Sequence, residues 1–226
     1  MTAIAIDGPA GAGKSTIAKQ LAKDLGYIYV DTGALYRAVG YYMDRQGADP
    51  GSEEQVVPLL DGLTAELKYI GGEQRVLVNS EDVTQKIRTP QMSMAASKVS
   101  ALPAVRDFLF ELQRKIAREN NVIMDGRDIG TVVLPNAQVK IFLTASPQER
   151  ARRRCAELLE KGEKVSFEEV LSDIEQRDYN DTHRAVAPLR QAQDAVLVDT
   201  THLDFDQSVQ EICRLIKERQ NHVDCL

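Results

Sequence analysis

Hydrophobic residues recur along the chain in short blocks whose spacing switches repeatedly between that of a strand and that of a helix. Residues 2–6 form an apolar run long enough for one buried strand, and Lys14–Leu25 carries apolar residues at helical spacing. Residues 27–30 are a β-rich run, and a helical pattern follows them to about Gln46. The first part of the chain therefore predicts the order strand, helix, strand, helix.

This rhythm breaks between residues 48 and 90. A short helical pattern at 56–63 is followed by two β-rich runs, 67–70 and 76–78, which flank the turn-forming residues 71–74. Two runs joined in this way predict a β-hairpin. A hairpin inside an alternating chain indicates an insertion, which we place roughly at 48–90.

Alternation resumes from about Pro90. Three further apolar runs predict buried strands at 121–125, 139–143 and 195–199. Helical patterns cover 104–119, 147–161, 166–182 and 205–219, and Ser166 with Glu169 has the spacing of a capping box. Five strands separated by helices predict an α/β fold, a five-stranded parallel sheet flanked by helices, with ligands at the carboxyl ends of the strands.

The segment between the first strand and the first helix carries the clearest chemical signal. Its residues, Gly8, Pro9, Ala10, Gly11, Ala12, Gly13, Lys14 and Ser15, followed by Thr16, fit the phosphate-loop pattern G-x-x-x-x-G-K-[ST]. Glycine lets successive N–H groups point at one anion, and the helix adds its positive end. Lys14 would reach the outer phosphates and the Ser15 hydroxyl would hold Mg²⁺. An ordinary glycine-rich turn is the alternative, but the strand-to-helix context favours a nucleotide-phosphate site.

Composition narrows the functions open to a chain with such a loop. At 226 residues and 43% hydrophobic, the chain can bury a full core as one domain or two. The net charge of −6 argues against nucleic-acid binding through a basic surface, so a local cluster of Lys and Arg must hold any phosphorylated substrate. No stretch approaches the about 20 apolar residues of a membrane span, and the N-terminus lacks the basic segment of a signal peptide.

The cysteines indicate a compartment. Cys155, Cys213 and Cys225 are odd in number and show no metal-ligand spacing. They are expected to be free thiols in a reducing cytoplasm.

Polar clusters follow two of the predicted strands, where a parallel sheet collects its ligands. Asp31 and Arg37 follow the second strand, and Asp125 with Arg127 and Asp128 follows the third. A buried carboxylate beside a phosphate loop suits the Mg²⁺ sphere of phosphoryl transfer. Capping of the next turn by Asp-Gly is the alternative for Asp125, and the neighbouring Arg127 and Asp128 favour the metal.

Two charged helical segments have both a functional and an ordinary explanation. Four of the five residues 150–154 are arginines, which could surround a moving phosphoryl group or pair with glutamates in solvent. Arg177, Asp181 and Arg184 follow at i, i+4 and i+7, a spacing that ordinary ion pairs along one helix face also explain. Spacing alone leaves the first segment open and favours the ordinary explanation for the second.

Six segments together resemble the bacterial-type cytidylate kinases, a family of P-loop nucleoside monophosphate kinases. The phosphate loop alone indicates only the superfamily, whereas the DGRDIGT and RAVAPL sequences are much more specific. In chain order, the matching segments are 6–15, 31–37, 87–89, 125–133, 140–143 and 184–189. They span nearly the whole chain, including the predicted insertion.

The resemblance implies a domain plan and an activity. The chain would be one P-loop kinase domain, residues 1–226, with an acceptor-side insertion at about 48–90 and a helical lid at about 147–184. It would transfer the γ-phosphoryl group of ATP to CMP or dCMP, with Mg²⁺, as a monomer. Nucleic acid and membrane are not expected partners.

The resemblance also assigns roles to arginines. Arg37, Arg127 and Arg184 would hold the acceptor phosphate, because guanidinium forks suit phosphate oxygens better than lysine does. Arg153 and Arg154 would belong to the lid, which closes over ATP and excludes water. The groups expected to act in catalysis are then Lys14, Arg127, Arg153 and Arg154.

Base and sugar contacts follow from the same resemblance. Cytosine would lie among Ser97, Arg106 and Asp128, because a carboxylate accepts from the N4 amino group of cytosine and repels O4 of uracil. Thr32 matches a position near the base where relatives carry a small hydroxyl residue. The sugar would contact Arg177 and Asp181.

No general base is required for this reaction, because a nucleotide phosphate has its second pKa near 6 and is already ionised at neutral pH. Asp31 would be a candidate base only if the acceptor were an alcohol. The nearest alternative is thus a P-loop kinase for UMP or a hydroxylated metabolite. A nucleotide-dependent regulatory protein is another; a GTPase is disfavoured because no N-K-x-D segment follows a late strand.

Overall fold

A computed structural model describes residues 1–70, 73–160 and 162–223, with side chains to residue 219. Strands and helices alternate from Ala3 to Arg45, as the hydrophobic pattern predicts, and three consecutive strands and pairs of consecutive helices occur further along the chain. The strands are β1 Ala3–Asp7, β2 Ile28–Asp31, β3 Ala65–Ile70, β4 Glu73–Val78, β5 Glu81–Asp82, β6 Val122–Gly126, β7 Val139–Thr144 and β8 Val196–Asp199. The helices are α1 Lys14–Leu25, α2 Thr32–Arg45, α3 Glu53–Leu60, α4 Pro90–Val99, α5 Pro103–Glu119, α6 Pro147–Glu160, α7 Phe167–His183 and α8 Phe205–Val223.

The main sheet has the strand order β2-β6-β1-β7-β8 and confirms the predicted five-stranded parallel α/β fold. β1 lies at its centre and runs parallel to β6 and β7, with Ile4 opposite Ile123 on one side and Val139 on the other. Ile4 and Ile6 are fully buried. Parallel strands covered by helices on both faces need such continuous apolar runs.

The chain forms two compact units with separate cores. The first unit comprises Met1–Tyr29 and Asn120–Leu226, and the second comprises Val30–Glu119. In the first, α1 and α8 pack on the sheet through residues such as Leu21 and Ile216. The second unit packs α2, α5 and the antiparallel sheet β3-β4-β5 around its own core.

Several element boundaries differ from the pattern. α3 begins at Glu53 rather than at residue 56. The positive end of the helix favours the two acidic residues of its first turn, and the hydrophobic pattern does not detect this contribution. The hairpin is confirmed, but Glu73 and Gln74 belong to β4 rather than to the turn, and the predicted turn residues 71–72 lie outside the described residues. So does Lys161, the predicted end of α6.

Two further features carry no hydrophobic signal. β5 has only two residues, and one turn of π-helix at Ile129–Val133 follows β6.

The predicted capping box is confirmed: the Ser166 hydroxyl accepts from the Glu169 N–H at 3.2 Å, and the Glu169 carboxylate accepts from the Ser166 N–H at 3.1 Å. Among the described residues, no helix combines the length and the apolar character needed to span a bilayer.

Candidate active site

The phosphate loop leaves β1 at Gly8, where no side chain fits. A Cβ on Gly8 would lie 1.9 Å from the backbone oxygen of Leu143 in β7, well inside any allowed contact. At the other end of the loop Gly13 has a φ of +86° and caps α1. Only glycine adopts that left-handed conformation readily, so the first and last glycines of the motif are required by the backbone itself.

Lys14 is buried beneath the loop. Its ammonium group donates to the backbone oxygen of Pro9 at 2.7 Å. Burial, together with the nearby positive charge of Arg127, lowers the pKa of Lys14 to about 7, against the opposing effect of carboxylates such as Asp125. The amine is therefore poised to gain a proton when an anion arrives.

Asp125 is the residue before the end of β6, and its carboxylate contacts the first turn of α1. Its Oδ2 atom accepts from the Ser15 hydroxyl at 2.9 Å, and its Oδ1 atom accepts from the Tyr29 hydroxyl at 2.8 Å. A hydroxyl and a carboxylate are hard oxygen ligands, which fit Mg²⁺ when phosphate oxygens and water complete the sphere. Among the described residues, no group of three or more His, Cys, Asp or Glu could hold a metal alone.

Arg127, which follows β6, and Asp181 in α7 form a partly buried ion pair. The Arg127 Nε atom donates to the Asp181 carboxylate at 2.7 Å. Burial opposes ionisation of Asp181, but the charge and hydrogen bond of Arg127, together with the charges of Arg184 and Arg177, outweigh it and hold the pKa of Asp181 below its usual value. The structure thus brings together four residues that the resemblance placed around the acceptor.

Asp128 and Arg184 form a second buried pair. The Arg184 guanidinium donates to the Asp128 carboxylate at 3.2 Å and, through Nε, to the backbone oxygen of Ala187 at 2.8 Å. Ala187, within the RAVAPL segment, has a φ of +47°, in the left-handed region. The base-reading carboxylate of the prediction is therefore held by the arginine predicted to bind phosphate.

Asp7, the last residue of β1, is a buried carboxylate to which the sequence analysis gave no role of its own. Its two oxygens accept from the backbone N–H groups of Ile129 at 2.8 Å and Gly130 at 2.7 Å. Burial raises the pKa of Asp7 to about 6, although both hydrogen bonds act in the opposite direction. Asp7 ties the strand before the phosphate loop to the turn after Asp128.

The arginines in the first half of α6 make different contacts. Arg150 is buried and donates to three groups: the backbone oxygens of Ala145 and Ala10, each at 2.8 Å, and the Asp178 carboxylate at 2.6 Å. It therefore joins α6, the phosphate loop and α7. The spacing of residues in the sequence does not distinguish a buried structural arginine of this kind from an arginine that binds an anion.

Arg153 and Arg154 remain predictions as catalytic residues. Arg153 donates to the backbone oxygens of Thr200 at 2.6 Å and Leu203 at 3.2 Å in the loop after β8. Arg154 pairs with Glu157 at 2.7 Å on its own helix.

In the second unit, Asp31 organises the start of α2. Its carboxylate accepts from the Ala34 N–H at 2.8 Å and from the guanidinium groups of Arg37 at 2.9 Å and Arg88 at 3.0 Å. Burial opposes ionisation, but the two arginines outweigh it and hold the pKa of Asp31 below its usual value. A carboxylate held in this way is a weak base.

The other predicted acceptor residues of this unit lie on α2, α4 and α5. Thr32 is buried at the first position of α2. Arg106 is also buried; it donates to the backbone oxygen of Ser100 at 3.4 Å and lies over the Tyr36 ring, 5.9 Å from its centre. Ser97 accepts, through its backbone oxygen, from the Ser100 hydroxyl at 2.9 Å. Ser97 and Arg106 are thus linked through one residue.

Known proteins resemble this chain over nearly its whole length. A family model described as Cytidylate kinase matches residues 4–218. The cytidylate kinase of Carboxydothermus hydrogenoformans is 53% identical over 220 residues, which are 96% of this chain and 98% of that protein. The cytidylate kinase of Caldicellulosiruptor saccharolyticus is 51% identical over 212 residues, 94% of each chain. The chain belongs to the cytidylate kinase family.

Solved structures support the fold of this cytidylate kinase family member. An uncharacterized protein from Eubacterium ventriosum superimposes with a TM-score of 0.51 over 96% of this chain and 99% of that one, at 13% identity. At that identity the likeness concerns the fold alone.

Four residues of this family member escaped prediction as individual site residues, each for a physical reason. Tyr29, Asp7 and Arg150 bind partners far away in the sequence, so no local spacing marks them. Arg88 lay inside one of the matching segments, at 87–89, and that position was the available signal for its pairing with Asp31.

Proposed function

We propose that this chain transfers the γ-phosphoryl group of ATP to CMP or dCMP, giving ADP and CDP or dCDP. The observation that carries the proposal is the identity of about half of all residues, over nearly the full length, with two proteins named cytidylate kinase. The site geometry supports it, because the first unit has a phosphate loop and two arginine–carboxylate pairs at the carboxyl ends of its strands.

The donor nucleotide would bind at the phosphate loop. Its phosphates would lie against the backbone N–H groups of residues 8–16, with Lys14 at the outer phosphates. Ser15 and Asp125 would hold Mg²⁺, which neutralises phosphate charge when it is bound. Tyr29 keeps the Asp125 carboxylate oriented toward Ser15.

The acceptor nucleotide would bind to the residues that the resemblance assigns to it. Its phosphate would contact Arg37, Arg127 and Arg184; its base, Ser97, Arg106 and Asp128, with Thr32 nearby; and its sugar, Arg177 and Asp181. Three of these arginines are paired with carboxylates of the chain itself. Each guanidinium has five donors, so it can bind phosphate while it keeps its acidic partner.

The chemical step would need alignment and charge neutralisation rather than a base. The acceptor oxygen is ionised at neutral pH, and Lys14, Arg127, Arg153 and Arg154 would neutralise the charge of the transferred group. An alcohol acceptor would instead need a base, and the two arginines on Asp31 leave that carboxylate poorly suited to take a proton.

The domain plan belongs to the same proposal. The chain would work as one kinase domain, residues 1–226, in which 48–90 lies on the acceptor side and 147–184 forms the lid. It would act as a monomer in the cytoplasm.

Coupled measurement of ADP release tests the proposal. Purified protein with Mg²⁺ and ATP is given CMP, dCMP, UMP or AMP in turn. We expect turnover to be highest with CMP or dCMP, and to fall by orders of magnitude in Lys14→Ala, whose fold is checked by circular dichroism. Absence of CDP with the wild-type protein would overturn the proposal, and preference for UMP or AMP would reassign the acceptor.

A further inference from the structure

The turn that follows Asp128 begins with backbone N–H groups that its own helical bonds do not use. In the π-helical turn Ile129–Val133, the N–H groups of Val132 and Val133 donate to the Asp128 backbone oxygen, at 2.9 and 3.1 Å. The first N–H groups of any helical turn need acceptors from outside it. Here those of Ile129 and Gly130 donate to the two oxygens of Asp7, at 2.8 and 2.7 Å.

Asp128 occupies the position from which a helical turn is usually capped by its own side chain. Aspartate is among the preferred residues at that position, because its carboxylate accepts from N–H groups two or three residues later. The Asp128 side chain makes no such bond. Its carboxylate accepts from Arg184 instead, at 3.2 Å.

We propose that Asp7 is a positioning residue that caps this turn in place of Asp128 and thereby keeps the Asp128 carboxylate directed to Arg184 and the acceptor nucleotide. This inference rests on the proposed function, in which Asp128 reads the base. Asp7 also directly precedes Gly8. The start of the phosphate loop and the base-reading carboxylate are thus fixed to each other through one side chain.

The space around Asp7 leaves little room for another acceptor. Asp7 is 4% exposed. A Cβ on Gly130 would lie 3.3 Å from the Asp7 Oδ2 atom and 3.1 Å from the Lys140 Cδ atom, so the turn packs directly on the carboxylate. With Asp7 unable to accept both bonds, we expect the side chain of Asp128, which stands at the usual capping position, to accept from Gly130 instead.

Asp7→Asn is the direct test. The amide keeps one acceptor oxygen but places its NH₂ group against a backbone N–H, so the Asp128 carboxylate should turn to cap Gly130. We expect KM for CMP to rise and the CMP/UMP ratio of kcat/KM to fall, each by about tenfold or more, the effect of one lost base contact. The Kd for ATP should stay within about twofold, because the loop contacts are retained.

Two controls separate this role from general effects. Asp24→Asn removes the same charge from an exposed position of α1, and Ile216→Val weakens the same core away from the turn. Both should keep the wild-type CMP/UMP ratio. An unchanged ratio in folded Asp7→Asn, or an equal loss of ATP affinity, would overturn the inference.

Gly130→Ala gives a second route if Asp7→Asn does not fold. Its Cβ would push the turn away from the Asp7 Oδ2 atom, and the same selective loss toward CMP is expected; an unchanged ratio there would equally overturn the inference. Wild-type protein that fails to phosphorylate CMP would refute the proposed function instead, so the two failures are distinct.

Discussion

At the scale of single residues, the site differs from an ordinary strand-to-helix turn in how many charges it buries. Lys14, Asp7 and Asp125 are each at most 5% exposed, and each contacts backbone or side-chain groups from another part of the chain. Burial moves the pKa of Lys14 and that of Asp7 toward neutrality, in opposite directions from their usual values. Proton uptake and release at this site should therefore accompany ligand binding near physiological pH.

Lys14 should take up a proton when ATP binds. The bound phosphates favour the charged ammonium, so its pKa rises from about 7 in the free protein. Below pH 7 the amine is protonated in both states, whereas above it binding must add the proton, and ATP affinity should fall by up to about tenfold per pH unit. Calorimetry at pH 8.5 in buffers of different ionisation enthalpy measures the uptake.

The matched variant is Lys14→Arg, because a guanidinium stays charged throughout this range. It should show no uptake beyond that of ATP itself. Equal proton uptake by the two proteins would rule Lys14 out as its source.

Asp128→Ala should lower the preference for CMP over UMP. Loss of the acceptor for the cytosine N4 amino group is expected to reduce the discrimination by about 1–3 kcal/mol in kcat/KM. The ratio of kcat/KM for the two nucleotides measures it, and Asp24→Asn controls for the loss of charge. A ratio equal to that of the wild type would remove Asp128 from base reading.

Sequence reasoning reached the site residues whose partners are local or whose motif is diagnostic. The loop follows from its motif in a strand-to-helix context, and Asp125, Arg127 and Asp128 are candidates because they come at the end of a predicted strand. The contacts of Asp7 with Ile129, 122 residues away, could not be read from spacing. Long-range pairs of this kind depend on strand order, which the hydrophobic pattern does not determine.

At the scale of elements, regular periodicity was the reliable guide. α1 matches its predicted range residue for residue, and α5, with a continuous apolar stripe, starts within one residue of its predicted position. β5 and the π-helical turn were missed because two to five residues cannot show a period. β5 is held by its pairing with β4, and the π-helical turn by its hydrogen bonds to Asp7.

The α6–α7 pair gives a prediction at this scale. Arg150→Met should lower the free energy of unfolding by about 3–5 kcal/mol, because it leaves the Asp178 carboxylate without its buried cationic partner. In an Asp178→Asn background the same substitution should cost less. Urea unfolding of the four proteins of the cycle measures the coupling.

Arg152→Met is the matched control. Its side chain is 68% exposed and pairs with Glu149, so the loss should be below about 1 kcal/mol. Additive effects of Arg150→Met and Asp178→Asn would show that the pair does not act as a unit.

At the scale of the whole molecule, the two units each bury a separate core, and stability should respond to pH through a few buried acids. Asp31 and Asp181 have lowered pKa values in the folded protein. They contribute stability that is lost as the pH falls below the pKa of these groups in the unfolded chain. Asp7 acts in the opposite sense, since its pKa is raised to about 6. Its contribution is fully present below about pH 4 and is lost as the pH rises through 6.

Comparison with Asp7→Asn isolates this contribution, because the other acids cancel in the difference. A rise in pKa from 3.8 to about 6 corresponds to about 3 kcal/mol. The unfolding free energy of the wild type minus that of the variant should therefore decrease by about that amount between pH 4 and pH 7. Denaturant titrations across this range measure it, and a flat difference would contradict the burial of an ionisable Asp7.

The central place of β1 matters while the protein is being synthesised. Its neighbours in the sheet come much later; the amide of Thr2, for example, meets Asn121, 119 positions further along. A nascent chain therefore leaves the ribosome with both edges of its central strand bare, and Val30–Glu119 must emerge before either is covered. Translation of that stretch is the interval in which this chain is most open to aggregation or to capture by a chaperone.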